Sequence, residues 1–254
     1  MGRVFLRFLM LCFLAGCLLA DGYSQRQHRR QSKKKEEPSQ VIRQKTLVVI
    51  DERLSVIRDA PSPYAFPIQR MRRGRVVVLK AVQNVDGVKY YQIQAGNISG
   101  WVQSDAFVIA GEKSEEMRLL RLIQGSKGFD KIERVALFLK HFPNSDLRSA
   151  ALLLFGDLLE EAAENLSKEA SRRLDQVEMR SSSARIESFY LNYSGLDRYR
   201  RLGAVFLFNP KTKSYHYDGQ AWKEILDKYP NSQEAKEAKQ RMEALKQKME
   251  QPEN

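Results

Sequence analysis

The chain has 254 residues, enough for one or two domains and a sizeable core. Its 43% hydrophobic and 29% charged residues are ordinary globular values, which excludes a wholly disordered chain and a multi-pass membrane protein. The net charge is +12, from 43 Lys and Arg against 31 Asp and Glu.

The N-terminus opens with Met-Gly-Arg-Val-Phe-Leu-Arg, a short basic start, followed by the uncharged run Phe8 to Ala20. A membrane span needs about 20 apolar residues, so this run is too short, and residues 1–22 read as a secretory signal peptide. Both cysteines of the chain, Cys12 and Cys17, lie within it, which leaves no disulfide, thiol nucleophile or Cys zinc site beyond. Leu14-Ala15-Gly16-Cys17 resembles a bacterial lipobox, which would make Cys17 a diacylated N-terminus. Ala20-Asp21-Gly22 and Gly22-Tyr23-Ser24 suit ordinary signal peptidase instead, and both routes stay open. Either implies export to the periplasm or cell envelope, with or without a lipid anchor.

Residues 23–45 form a basic strip, with eight Lys and Arg against Glu36 and Glu37 and too few apolar residues to fold alone. It reads as a solvated linker, or as a segment drawn to an anionic membrane surface or an acidic wall polymer. At such a surface each basic residue contributes about 1 kcal/mol. A nucleic-acid partner conflicts with export.

From Thr46 to Ala110 short β-rich runs follow: Leu47 to Ile50, Val76 to Leu79, Tyr90 to Ile93, Trp101-Val102 and Phe107 to Ile109. Asp86-Gly87 marks a tight hairpin turn, and the spacing predicts a small closed or half-closed barrel over 46–110. Ser55 to Ser62, Arg72-Arg73-Gly74, Tyr91-x-Ile93 and Gly100-Trp101-Val102 resemble the bacterial SH3-like domain, with Ala60 where that family has Gly and Tyr91 where it has Trp. The resemblance implies a module that binds peptides, glycan or peptidoglycan, or braces its neighbours. It also implies that Trp101 packs in the barrel core. Arg70, Arg72, Arg73 and Arg75 cluster at one turn beside Tyr64 and Phe66, and an aromatic floor with guanidinium forks is what a carboxylate ligand requires.

Beyond Gly111 the period becomes helical over 114–250. Met117 to Ile123 is a first helix stopped at Gly125, and Asp130 with Glu133 predicts a capping box for Ile132 to His141. Phe142-Pro143-Asn144-Ser145 recurs as Tyr229-Pro230-Asn231-Ser232, each between two helices. This resembles the joint of tetratricopeptide-like repeats in bacterial envelope proteins, although the offset is no multiple of the ~34-residue repeat. The fold class expected is multidomain β + α: an SH3-like barrel, then a TPR-like helical-hairpin domain with a short β-hairpin insertion. Barrel and helices are expected to separate on proteolysis near Glu112–Ser114.

The insertion, 189–222, holds nine of the 24 aromatics. Phe206-x-Phe208 and Tyr215-x-Tyr217 alternate as a hairpin, with His216 expected to face outward. Tyr215 and Tyr217, beside a basic rim of Arg198, Arg200 and Arg201, make either a packed aromatic core or an interface, since Tyr and Arg are enriched at hot spots. No hydrolase, zincin, phosphate-loop or dinucleotide motif is present, and His141 and His216 have no partner visible in sequence. Glu160-Glu161 reads as a solvated helix face, and the last helix as a solvated end. These features imply a non-catalytic envelope binding or scaffold protein without cofactor or metal. Envelope proteins or peptidoglycan would be its partners; a peptidoglycan-binding accessory protein or a cell-wall hydrolase is the alternative.

Overall fold

The computed structural model describes residues 45–250. The signal segment, Cys17 and the basic strip as far as residue 44 lie outside the described residues. Seven strands come first: β1 (Thr46–Val49), β2 (Val56–Arg58), β3 (Pro67–Arg70), β4 (Val76–Val85), β5 (Val88–Ala95), β6 (Ile98–Gln103) and β7 (Phe107–Ile109). They form one antiparallel sheet in the order β3-β2-β6-β5-β4-β1-β7. The ends of that order do not pair, so the expected barrel is an open sheet with β3 and β7 as its edges. Asp86 and Gly87, both at positive φ (51° and 80°), make the turn between β4 and β5 that their sequence predicts.

Period-two alternation divides the sheet's side chains between two cores. Leu47, Val49, Ile57, Val77, Leu79, Ile93, Val102 and Phe107 pack together within the curl of the sheet. Val48, Ile50 and Val108 instead join the core of the helices. β1 is therefore covered on both faces, which is why Leu47 to Ile50 is apolar without a break.

Eight helices and a second sheet follow: α1 (Lys113–Gln124), α2 (Gly128–His141), α3 (Arg148–Arg173), α4 (Gln176–Ser181), α5 (Ile186–Ser194), α6 (Asp197–Arg200), β8 (Phe206–Asn209), β9 (Ser214–Tyr217), α7 (Gln220–Lys228) and α8 (Gln233–Glu250). The protein is thus mixed β and α. Among the described residues no helix is long and apolar enough to cross a membrane. Both aromatic-Pro-Asn-Ser turns join helices, α2 to α3 and α7 to α8. The long α3 is the centre of this half, with α2, α5, α7, α8 and β9 packed against it. Gly156 makes one such contact: the Trp222 indole lies where a β-carbon at 156 would stand.

The Asp130–Glu133 pair does not cap α2. That helix begins at Gly128 with no side-chain cap, and both carboxylates bind Arg73 of the sheet instead, at 3.1 and 2.6 Å. Arg73 is a buried cation rather than a ligand fork, with its side chain 7% exposed and its Nε donating to the Ile50 carbonyl. Beside it the buried Arg134 of α2 donates to the same carbonyl and to Ser126 Oγ, 3.6 Å from the Asp51 carboxylate. Sheet and helices meet across this ionic seam, and the described residues, 45–250, belong to one compact unit.

Candidate functional site

The sheet positions a cleft of about 180 Å³ on the face opposite its own core, lined by Arg53, Arg58, Pro63, Tyr90, Trp101 and Gln103 among others. Register builds it: Arg58 of β2 stands opposite Trp101 of β6, and Trp101 opposite Gln92 of β5, one row across three strands. Tyr90 and Gln103 pair in the same way. Gly100 allows the row to form, because a β-carbon there would lie 2.6 Å from both the Arg58 carbonyl oxygen and Ile57 Cγ2.

Tyr90 gives this cleft its chemistry. The residue is 2% exposed, and its Oη has no hydrogen-bond partner. Most buried hydroxyls are paired, because an unpaired one forfeits its hydration. Arg58 spends one Nη1 donor on the Ala65 carbonyl at 2.7 Å, which leaves further donors of its fork. Arg53, largely exposed, pairs with Asp51 and holds that carboxyl below its usual range by hydrogen bonding, against the opposing effect of burial. Tyr90, with its solvent-shielded hydroxyl, two arginines and a half-buried indole therefore line one depression.

The expected site residues are dispersed. Tyr64 is 95% exposed, and Arg70 and Arg72 are exposed near the same sheet edge, whereas Arg73 is committed to the seam. Trp101, expected in the core, lines the cleft on the outer face. Tyr215 and Tyr217 are buried and cannot offer a binding surface: the Tyr215 hydroxyl donates to the Glu187 carbonyl, and the Tyr217 hydroxyl accepts from Ala221 N–H. Burial pushes both phenols up, Tyr217 the further. Arg198 stacks on Phe129 and Tyr199, at 4.7 and 5.0 Å, while Arg200 pairs with Asp197 and Arg201 is exposed. The insertion is thus a packed aromatic core with an arginine clamped onto it. The cleft's Tyr90, Arg53 and Arg58 escaped sequence reasoning. The one available signal was period two, which puts Tyr90 on the opposite face from the core-facing Tyr91.

A second cluster lies where α3, β9 and α8 meet. His216 faces inward, not outward, with Nδ1 2.9 Å from Glu160 Oε1 and Nε2 3.1 Å from Ser214 Oγ. Glu160 also accepts from Tyr217 N–H and from Lys248 Nζ, both at 2.8 Å, and Lys248 binds Glu164 as well. Burial alone would raise the Glu160 carboxyl, but these donors hold it down at about 2. Glu160, Glu164 and His216 are close enough to share a cation, and the Lys248 ammonium already stands between the two carboxylates. The adjoining groove is walled by Asp157, Glu160, Glu161, Glu164, Arg241 and Lys248 and touches neither Ser214 nor His216. The cluster locks α8 onto α3 and the hairpin, so the last helix is clamped where a solvated end was expected.

Compared with known protein families, characterised proteins and solved structures, the chain matches none.

Proposed function

We propose that the protein is a non-catalytic binding protein of the bacterial cell envelope. In this reading an SH3-like module captures a carboxylate-bearing ligand, and a TPR-like helical half carries a protein partner. The observation that supports it is the cleft lined by Arg53, Arg58 and Trp101 together with Tyr90, whose shielded hydroxyl has no partner within the fold and would be reached by a ligand that displaces the cover over it. A carboxylate accepts from both a phenol and a guanidinium fork, and the indole face covers the apolar part of a peptide. Peptidoglycan stem peptides have this chemistry, and the signal peptide would deliver the protein to them. The test is co-sedimentation of the full chain with purified sacculi. Retention of the parent and loss of retention in Trp101→Ala support the reading; equal retention of both rejects it.

A hydrolytic reading is favoured by one arrangement, the hydrogen-bonded order Ser214–His216–Glu160. A fluorophosphonate probe discriminates. Adduct formation at Ser214, seen by peptide mass spectrometry, would favour a hydrolase, and an unlabelled Ser214 favours the binding protein.

A further inference from the structure

The two most exposed large apolar side chains of the sheet half, Tyr64 (95%) and Phe66 (72%), lie together just before the edge strand β3, and Ile68 (45%) follows within it. Their exposure is built in. The loop that carries them is closed by Asp59 N–H to the Phe66 carbonyl, by Phe66 N–H to Asp59 Oδ1 at 3.0 Å, and by Arg58 Nη1 to the Ala65 carbonyl. Ser62 N–H to the Ala60 carbonyl and Ala65 N–H to the Ser62 carbonyl tighten its tip. Two aromatic rings and an isoleucine are thus presented to water on a pinned support, where they lose hydrophobic free energy with no compensation from the fold.

The charges around them are unbalanced. Arg70 and Arg58 give their donors to backbone carbonyls, which leaves their positive charge without a neutralising carboxylate in those bonds. Arg72 is exposed, and Asp59, which keeps its charge while accepting from Phe66 N–H, is the single acidic residue set against these three arginines between residues 58 and 72. Elsewhere in the sequence, residues 24–45 carry eight basic residues against two acidic ones, a composition that favours the same kind of anionic partner. Exposed apolar tips on a basic support match a flat anionic surface with an apolar interior. Aromatic residues settle at the headgroup level of a bilayer and arginines draw anionic lipid. A protein partner with a concave acidic pocket would fit the tips but would leave the long basic strip unused.

We infer that the Tyr64–Phe66–Ile68 loop is a membrane-contact site that inserts into the interface of an anionic bilayer. It is a different surface from the cleft floor at Tyr90 and Trp101, although Arg58 and Pro63 border both. It also differs from any anchoring by the N-terminus, because it places a particular loop in the lipid.

The experiment uses the full chain carrying Tyr64→Trp, or Phe66→Trp as a second reporter, with vesicles of phosphatidylcholine and phosphatidylglycerol whose acyl chains are brominated. Bromine quenches only an indole that reaches the acyl region. The added Trp emission is expected to fall by about half or more on anionic vesicles and to persist on zwitterionic ones. Tyr64→Ser with Phe66→Ser should lower partition to anionic vesicles roughly tenfold, with circular dichroism unchanged. Three results would overturn the inference: sedimentation with vesicles while the reporter stays unquenched, undiminished partition of the double Ser variant, or no sedimentation with anionic vesicles at all. The first would assign the contact to the basic strip, and the last would leave the loop to a protein partner.

Discussion

At the scale of single residues, two buried polar groups behave in opposite ways. Tyr90 keeps an unpaired hydroxyl, so Tyr90→Phe should leave the melting temperature equal or raised, by about 1 kcal/mol of stability, while weakening sacculus binding. A fall in stability would mean that the hydroxyl has a partner in solution. Glu160 is the converse, an ionised carboxylate that accepts from His216, the Tyr217 N–H and Lys248. In the folded protein its pKa is about 2, below the ordinary 4.5. Its contribution is therefore fully present above about pH 5 and is lost as pH falls from 4.5 towards 2. That contribution is on the order of 3 kcal/mol. Glu160→Gln should destabilise the protein near neutral pH and flatten its acid unfolding profile over that interval, as followed by urea denaturation at each pH. Arg198 also stabilises through contact. Arg198→Ala should lower the melting temperature more than Arg200→Ala with Arg201→Ala, because only Arg198 covers Phe129 and Tyr199.

At the scale of elements, the hairpin β8–β9 is held by aromatic contacts on its buried face. Phe208 meets Tyr215 at 5.0 Å, and Tyr217 meets Trp222 edge-on at 5.5 Å. Tyr217→Ala removes that contact and the acceptor for Ala221 N–H together, and should cost about 3–5 kcal/mol, measurable by chemical denaturation. Trp222 ties α7 to α3 through Gly156, so Gly156→Ala should destabilise by about 1–3 kcal/mol through overpacking although Ala is the better helix former. Stabilisation on that substitution would show that the indole has room to move.

At the scale of the whole molecule, the seam at Asp51, Arg73 and Arg134 joins sheet to helices. Arg134→Ala leaves the Ile50 carbonyl and Ser126 with one donor fewer and should cost about 3 kcal/mol. Limited proteolysis of the native protein should give one resistant core from the start of β1 into α8. Early cleavage near Glu112–Ser114 that released a folded sheet would show instead that the seam is dispensable.

Patterns of local origin were legible in the sequence alone. The Asp86-Gly87 turn, the change from period two to a helical period after Gly111, the Pro-Asn-Ser joints and the aromatic hairpin all depend on neighbours within a few residues, and each appears where the sequence placed it. Tertiary structure decided the rest, because the residues concerned find their partners far along the chain. Asp130 and Glu133 fit a capping box by spacing, yet a cation 57 and 60 residues away binds them. His216 follows strand alternation, but which face is inside depends on where α3 lies, and α3 brings Glu160 to it from 56 residues away. Trp101 and Tyr90 gain Arg58 as a cleft neighbour only because β2 pairs with β6, a contact between segments distant in the chain. Spacing records what one element can do with its own side chains; burial, charge pairing and sheet closure depend on which elements meet.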